Sequence, residues 1–157
     1  MKALRHLLLS GLPALLLICQ GCRSDVVFQE QQTLPSEGWH YRDCIHLEAE
    51  IYDSLSLHRL YLDVRNTTDY AYSNLFIFLD IDFPDDMLLR DTIACILADR
   101  RGRWTGSGIG NIRSNRFLFR DDVWFPYGGT YRFSICHGMR YEVLEGISEV
   151  GIRIEKK

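Results

Sequence analysis

Apolar residues recur at every second position in seven separate stretches of this chain, and that spacing restricts the fold more than any other feature. Ile45, Leu47, Ala49 and Ile51 alternate with His46, Glu48 and Glu50. Leu60, Leu62 and Val64 alternate with Tyr61, Asp63 and Arg65, and Leu75, Ile77, Leu79 and Ile81 with Phe76, Phe78, Asp80 and Asp82. Residues 92–98, Phe117 with Phe119, Tyr131 with Phe133 and Ile135, and Val150 with Ile152 and Ile154 repeat the pattern. A period of two is that of a strand with one buried face. Turn chemistry at residues 66–69 and at Pro84-Asp85-Asp86 separates the segments. Only residues 139–144 leave room for a helical turn, stopped by Gly146. The pattern predicts an all-β fold, an antiparallel β-sandwich of jelly-roll-like kind with about seven to eight strands. The 75–81 segment, apolar on both faces where it begins, is expected to lie centrally.

The N-terminal part obeys a different logic. Lys2 and Arg5 precede a leucine-rich run without charge, and Gly21 stands immediately before Cys22. This is the order of a secretory signal peptide. The run is shorter than the roughly 20 residues that span a bilayer and is interrupted by Pro13. Cys19-Gln20-Gly21-Cys22 resembles the lipobox of bacterial lipoproteins, departing from it where Cys19 replaces the usual leucine. The expected organisation is a signal peptide over 1–21, a lipidated Cys22 with a tether over 22–37, and the sandwich over 38–157. Two or more acyl chains on Cys22 anchor firmly, whereas one holds only marginally.

Composition then removes several function classes. The 157-residue chain carries a net charge of −3, more acidic once Lys2 and Arg5 leave with the signal. Its basic residues form no run beyond Arg100-Arg101-Gly102-Arg103, which argues against nucleic acid as a partner. Cys44, Cys95 and Cys136 are three in number, so at most one disulfide can form within the domain, and their spacings fit no zinc site. Each lies in or beside an apolar run, where cysteine serves as a small buried hydrophobe. That is the expectation here, with a disulfide the alternative in an oxidising compartment.

Catalytic signatures are missing from the sequence. The glycine-rich piece from Gly102 to Gly110 lacks the lysine and following helix of a phosphate-binding loop and reads as a connection between strands. Asp80, Asp82, Asp85 and Asp86 follow no calcium-loop spacing and read as a solvated strand end. His40, His46, His58 and His137 show no metalloprotease spacing, and no Gly-x-Ser-x-Gly elbow is present. The chain is expected to be no enzyme and to need no cofactor or metal. The aromatics carry more. Trp39, Trp104 and Trp124, with Tyr70, Tyr72 and Tyr127, fall in expected connections. There they either form a protein-binding or sugar-stacking surface or plug the open ends of the sandwich. The candidate partner-binding set is Trp104, Thr105, Gly106, Trp39, Tyr72 and Trp124.

Several ordered segments resemble one family, the gliding motility lipoprotein GldH of Bacteroidota. They are Gly38-Trp39, Leu62-Asp63-Val64-Arg65-Asn66, Tyr70-Ala71-Tyr72-Ser73-Asn74-Leu75-Phe76, and Leu97-Ala98-Asp99 running on to Trp104-Thr105-Gly106-Ser107-Gly108. Met139-Arg140, Leu144-Glu145-Gly146-Ile147 and Val150-Gly151-Ile152-Arg153 complete the set. The resemblance implies a lipid-anchored envelope protein, held through Cys22 and partnered by proteins of a gliding or type IX secretion apparatus. It implies no catalytic residues. The family also occurs in bacteria that do not glide, so envelope assembly is a further implied role. Asp25 is a lone acid after Cys22 where surface-exported lipoproteins carry a cluster, so an outer-membrane protein facing the periplasm is expected. The second functional reading is a carbohydrate-binding envelope lipoprotein that uses the loop aromatics.

Overall fold

The computed structural model describes residues 25–157. The expected signal segment and Cys22 therefore lie outside the described residues. Ten strands follow one another: β1 (Val26–Thr33), β2 (Trp39–His40), β3 (Ile45–Ile51), β4 (Leu57–Thr67), β5 (Asn74–Asp82), β6 (Leu88–Ile96), β7 (Ile112–Trp124), β8 (Gly129–His137), β9 (Val143–Leu144) and β10 (Ile147–Lys156). One sheet has the order β1-β10-β4-β7 and the other β3-β8-β5-β6, while β2 and β9 form a short ribbon of their own. Every pairing is antiparallel.

The two sheets bury their facing sides against each other. Ile45, Leu47, Ala49 and Ile51 of β3 are all inward, and their charged alternates are all exposed. Leu60, Leu62 and Val64 of β4 meet Val150, Ile152 and Ile154 of β10 side by side in the other sheet. These residues join Leu75, Ile77, Leu79, Phe133 and Ile135 in one continuous core. Each such side chain contributes about 1.5–3 kcal/mol on removal from water. The antiparallel β-sandwich read from the periodicity is the fold of this protein, with ten strands where about seven to eight were expected, because β1 and the short β2–β9 ribbon carry little alternation.

Three details differ from the expectation. The segment read as tether contributes a full strand, β1, which pairs along β10 from Val26↔Glu155 to Thr33↔Glu149. Only Phe28 of β1 packs on the core, so its sequence carries little alternation to read. Gly151 makes this docking possible, because a Cβ there would stand 2.1 Å from the Glu30 carbonyl oxygen. Residues 139–144 hold no helical turn; they bend and then pair as β9 with β2. β5 does lie inside its sheet, between β8 and β6, but Phe76 and Phe78 on its outer face are left exposed.

The cysteines are also decided by the pairing. The β3–β8 register places Ile45 opposite Ile135, so one step further Cys44 meets Cys136, and the two form a disulfide with Cα atoms 4.5 Å apart. The expectation that all three cysteines are buried thiols is therefore corrected for this pair. It holds for Cys95, which is free and enclosed on the inner face of β6. Burial pushes the Cys95 thiol up to about 12, which leaves it protonated and unreactive.

Candidate functional site

Strand β4 runs the length of the sandwich, about 35 Å for its 11 residues at the usual rise. It defines two ends. At the Leu57 end, Leu57 pairs with Trp124. At the Thr67 end, Asn66 pairs with Ile147, and the Thr67 amide donates to the Gly146 carbonyl. The candidate aromatics divide between these ends and do not converge on one site.

At the Thr67 end, Trp39 is 1% exposed. Its indole N–H donates to the Asp43 carbonyl at 2.7 Å, and its ring stands edge-on to the buried His137. Tyr70 is buried beside it in the same core, its hydroxyl donating to the Asn74 carbonyl. Burial raises the Tyr70 phenol far above its ordinary range. Trp39 and Tyr70 thus close this end of the sandwich, and Trp39 is unavailable to a partner. Tyr72 lies outside Tyr70 and reaches Tyr141, with ring centroids 5.4 Å apart. The Tyr72 phenol is raised, first by its hydrogen bond with Tyr141.

Trp104, Thr105 and Gly106 serve the loop itself. Trp104 is half-buried against the core and bridges to Ala98. The Thr105 hydroxyl lies within hydrogen-bond distance of the Ile96 and Leu97 carbonyls and of Asn115 Oδ1. Asn115 Nδ2 in turn donates to Asn66 Oδ1, and Asn66 Nδ2 to the Thr67 carbonyl, forming a buried polar chain that ties the loop to β4 and β7. Gly106 is required by the same chain, since a Cβ there would lie 2.7 Å from the Asn115 amide. Buried polar groups linked in this way rigidify a loop.

The Leu57 end is closed by a chain of edge-to-face rings, His58 against Phe125, Phe125 against Tyr131, and Tyr131 against Phe83. Trp124 remains outside at 59% exposure, with its indole N–H donating to the Ser54 carbonyl. His58 and His137, one at each end, are both enclosed, and neither ring makes a well-formed hydrogen bond. Burial lowers the pKa of both, so both rings are neutral near pH 7.

Two surface grooves flank this frame, besides an open one of about 560 Å³ along Phe78, Asp80 and Arg90 and an apolar cleft of about 210 Å³ at the Leu57 end lined by Phe83, Trp124 and Phe125. A polar groove of about 400 Å³ on the outside of the β4 sheet runs past Gln31, Asp63, Arg65 and Arg116. Its charges satisfy one another: Arg116 holds the nearly buried Asp63 through bonds of 2.7 and 2.9 Å, and Gln31 adds a third at 3.1 Å. Its hydrogen bonding to Asp63 raises the Arg116 pKa. The second groove, about 250 Å³, lies on the outer face of the β5 sheet towards the Thr67 end, lined by Tyr41, Phe78, Met139 and Tyr141 among others. Phe76 adjoins it through an amide contact to the Met139 sulfur. This groove is the aromatic surface at the Thr67 end, and of the sequence candidates only Tyr72 borders it, whereas Trp124 lies at the Leu57 end. Its signal lies in Phe76 and Phe78, apolar residues at the outward positions of a strand whose other alternates are Asp80 and Asp82. Asp80 itself pairs with Arg90, and no group of three or more potential metal ligands occurs among the described residues.

Comparisons with known proteins agree on one relationship. A gliding motility lipoprotein GldH homolog of Christiangramia forsetii is 31% identical over 148 residues, covering 90% of each chain. The gliding motility lipoprotein GldH of Flavobacterium johnsoniae is 30% identical over 143 residues, covering 87% of this chain and 88% of its own. Among solved structures, the VP2 subviral particle of infectious bursal disease virus overlaps 83% of this chain and 30% of its own, at 11% identity and a TM-score of 0.30, too low to bear on fold or function. The family described as GldH lipoprotein matches residues 26–154, from the first residue of β1 almost to the end of β10. Because that match takes in both sheets and the strands that enclose the core, the chain belongs to the GldH lipoprotein family.

Proposed function

We propose that the protein is an anchored interaction module of the cell envelope, held to a membrane by lipid on Cys22 and acting by binding rather than by catalysis. Its partners are envelope proteins of a gliding or type IX secretion apparatus, or of envelope assembly, and its place is the outer membrane facing the periplasm. The observation that carries this reading is the exposed aromatic groove around Phe78 and Tyr141. Clustered aromatics with a flexible methionine are the usual centre of a protein-binding surface. The disulfide lies beside Phe78 on the same outer face, since Phe78 faces Cys136 across the β5–β8 pair, and it stiffens that surface. His58, His137 and Cys95 are enclosed instead of presented.

Crosslinking in living cells that express tagged protein, followed by mass spectrometry of what co-purifies, tests the reading. Envelope proteins captured by the native chain, lost in Cys22→Ala and lost in a folded Phe78→Ser/Tyr141→Ala protein, would support it. Recovery of the lipoprotein alone would defeat it and leave glycan binding, which titration with envelope polysaccharides while following tryptophan emission would detect.

A further inference from the structure

Where the chain enters the domain has a consequence for the opposite end from the aromatic groove. The Asp25 carbonyl accepts a hydrogen bond from the Lys156 amide, and the Lys156 ammonium reaches Asp53 in the loop between β3 and β4. Entry is therefore at the Leu57 end. From Cys22 to Val26 the chain covers four residue steps, at most about 14 Å fully extended. A tether running on to residue 37 would have let the domain stand far from its anchor. With 26–33 built into β1, Val26 is held within this short distance of a lipid on Cys22, and the start of β4 lies two strands away, about 10 Å further across the sheet.

That same end carries apolar side chains with nothing over them. Leu55 is 93% exposed, Tyr52 76% and Trp124 59%, with Tyr127 and Leu57 about half exposed. They form one platform. The Trp124 indole bonds the Ser54 carbonyl, Leu57 pairs with Trp124, and Tyr52 lies against Gly128 beside Tyr127. Leu55 is held out by an ordered loop, since the Asp53 carboxylate accepts from the Leu55 and Ser56 amides and from the Ser56 hydroxyl. Tryptophan and tyrosine favour the headgroup level of a bilayer, where a polar edge stays wet and the ring body is dry. The lysines nearby are already paired, Lys156 with Asp53 and Lys157 with Asp121 and Asp122, and the Glu50 carboxylate accepts from the Tyr52 hydroxyl, which adds no cation to the platform. The platform is therefore suited to a phospholipid surface through its apolar groups and not through a basic patch.

We infer that Leu55, Trp124, Tyr52 and Tyr127 dock on the bilayer to which Cys22 is anchored, so that the sandwich stands on its Leu57 end. This rests on the Cys22 anchor proposed above. The test uses the mature lipidated protein purified from envelopes and reconstituted in phosphatidylethanolamine–phosphatidylglycerol vesicles, with and without phospholipid brominated at shallow acyl positions. Flotation with the vesicles reads the anchor, and bromine quenching of tryptophan emission reads the docking. The expected result is flotation together with quenching that disappears in Trp124→Phe, weakens in Leu55→Asp and is unchanged by salt or by the fraction of anionic lipid. Leu55 is almost wholly exposed, so that variant retains the fold. Flotation with no quenching would keep the anchor and overturn the docking. A blue shift of Trp124 without bromine quenching would place a second copy on the platform and overturn the lipid assignment. A native protein that does not float would remove the anchor and the docking with it.

Discussion

At Trp39 and Trp124, two residues of one type with opposite environments separate packing from presentation. Trp39 is enclosed with its indole N–H bonded to Asp43, so Trp39→Ala is expected to cost about 3–5 kcal/mol, read as a lower urea midpoint. Trp124→Phe, at the surface, should leave that midpoint nearly unchanged. The two enclosed histidines set the pH dependence. Burial holds both pKa values below the ordinary range, so the unfolded chain binds more protons than the folded one as pH falls through about 6.5. Stability is complete above that pH and declines below it, at no more than about 1.4 kcal/mol per pH unit for each ring. Urea midpoints at pH 7.5 and 5.5 should show the decline, and His137→Leu should make it smaller. A steeper slope in the variant would mean that His137 is not the group that charges. Carboxylates such as Asp53, held low first by its bond to Lys156, enter only at more acid pH.

Among the elements, β3 and β8 are joined twice, by their ladder and by the Cys44–Cys136 bridge across 92 residues of chain. Closing a loop of that size is worth about 4.6 kcal/mol in the chain-entropy account. Reduction, or Cys136→Ser, is expected to lower the unfolding free energy by about that amount, whereas Cys95→Ala should act only through lost packing. Thiol labelling checks the pairing: the native protein should react only after denaturation, and then at Cys95 within the domain. Strand β1 is the contrasting element, an edge strand with one side chain in the core, held by backbone bonds that the absence of a side chain at Gly151 permits.

The molecule as a whole is an elongated sandwich with its chain entering at one end and its aromatic groove towards the other. If the Leu57 end stands on the bilayer, the Thr67 end lies about 35 Å away, set by the rise along β4. A spin label at Ile109→Cys, in the loop beyond β6, should escape collision with a lipid-bound relaxation agent, while one at Leu55→Cys should meet it. Equal relaxation at both sites would show a domain lying on its side, with the aromatic groove no longer held clear of the membrane. Under the proposed function, position would link the anchor to partner capture, since confinement raises the effective concentration of the groove near other envelope proteins.

The sequence by itself determined the sandwich, because a strand with one wet and one dry face writes its period directly into residues such as Ile45–Ile51. It also pointed to the family through ordered segments from Gly38-Trp39 to Val150-Gly151-Ile152-Arg153. It did not disclose β1, whose residues run apolar from Val26 to Phe28 and polar from Gln29 to Thr33 with no alternation, because an edge strand needs few core contacts. Nor did it choose among the aromatics. Trp39, Trp104 and Trp124 read alike in a linear chain, and only strand pairing and end closure made one a plug, one a loop support and one a surface residue. The same holds for Cys44 and Cys136, which the β3–β8 register alone brings face to face. Local periodicity is a property of neighbours in sequence, whereas burial at the ends of a sandwich depends on which distant strands meet there.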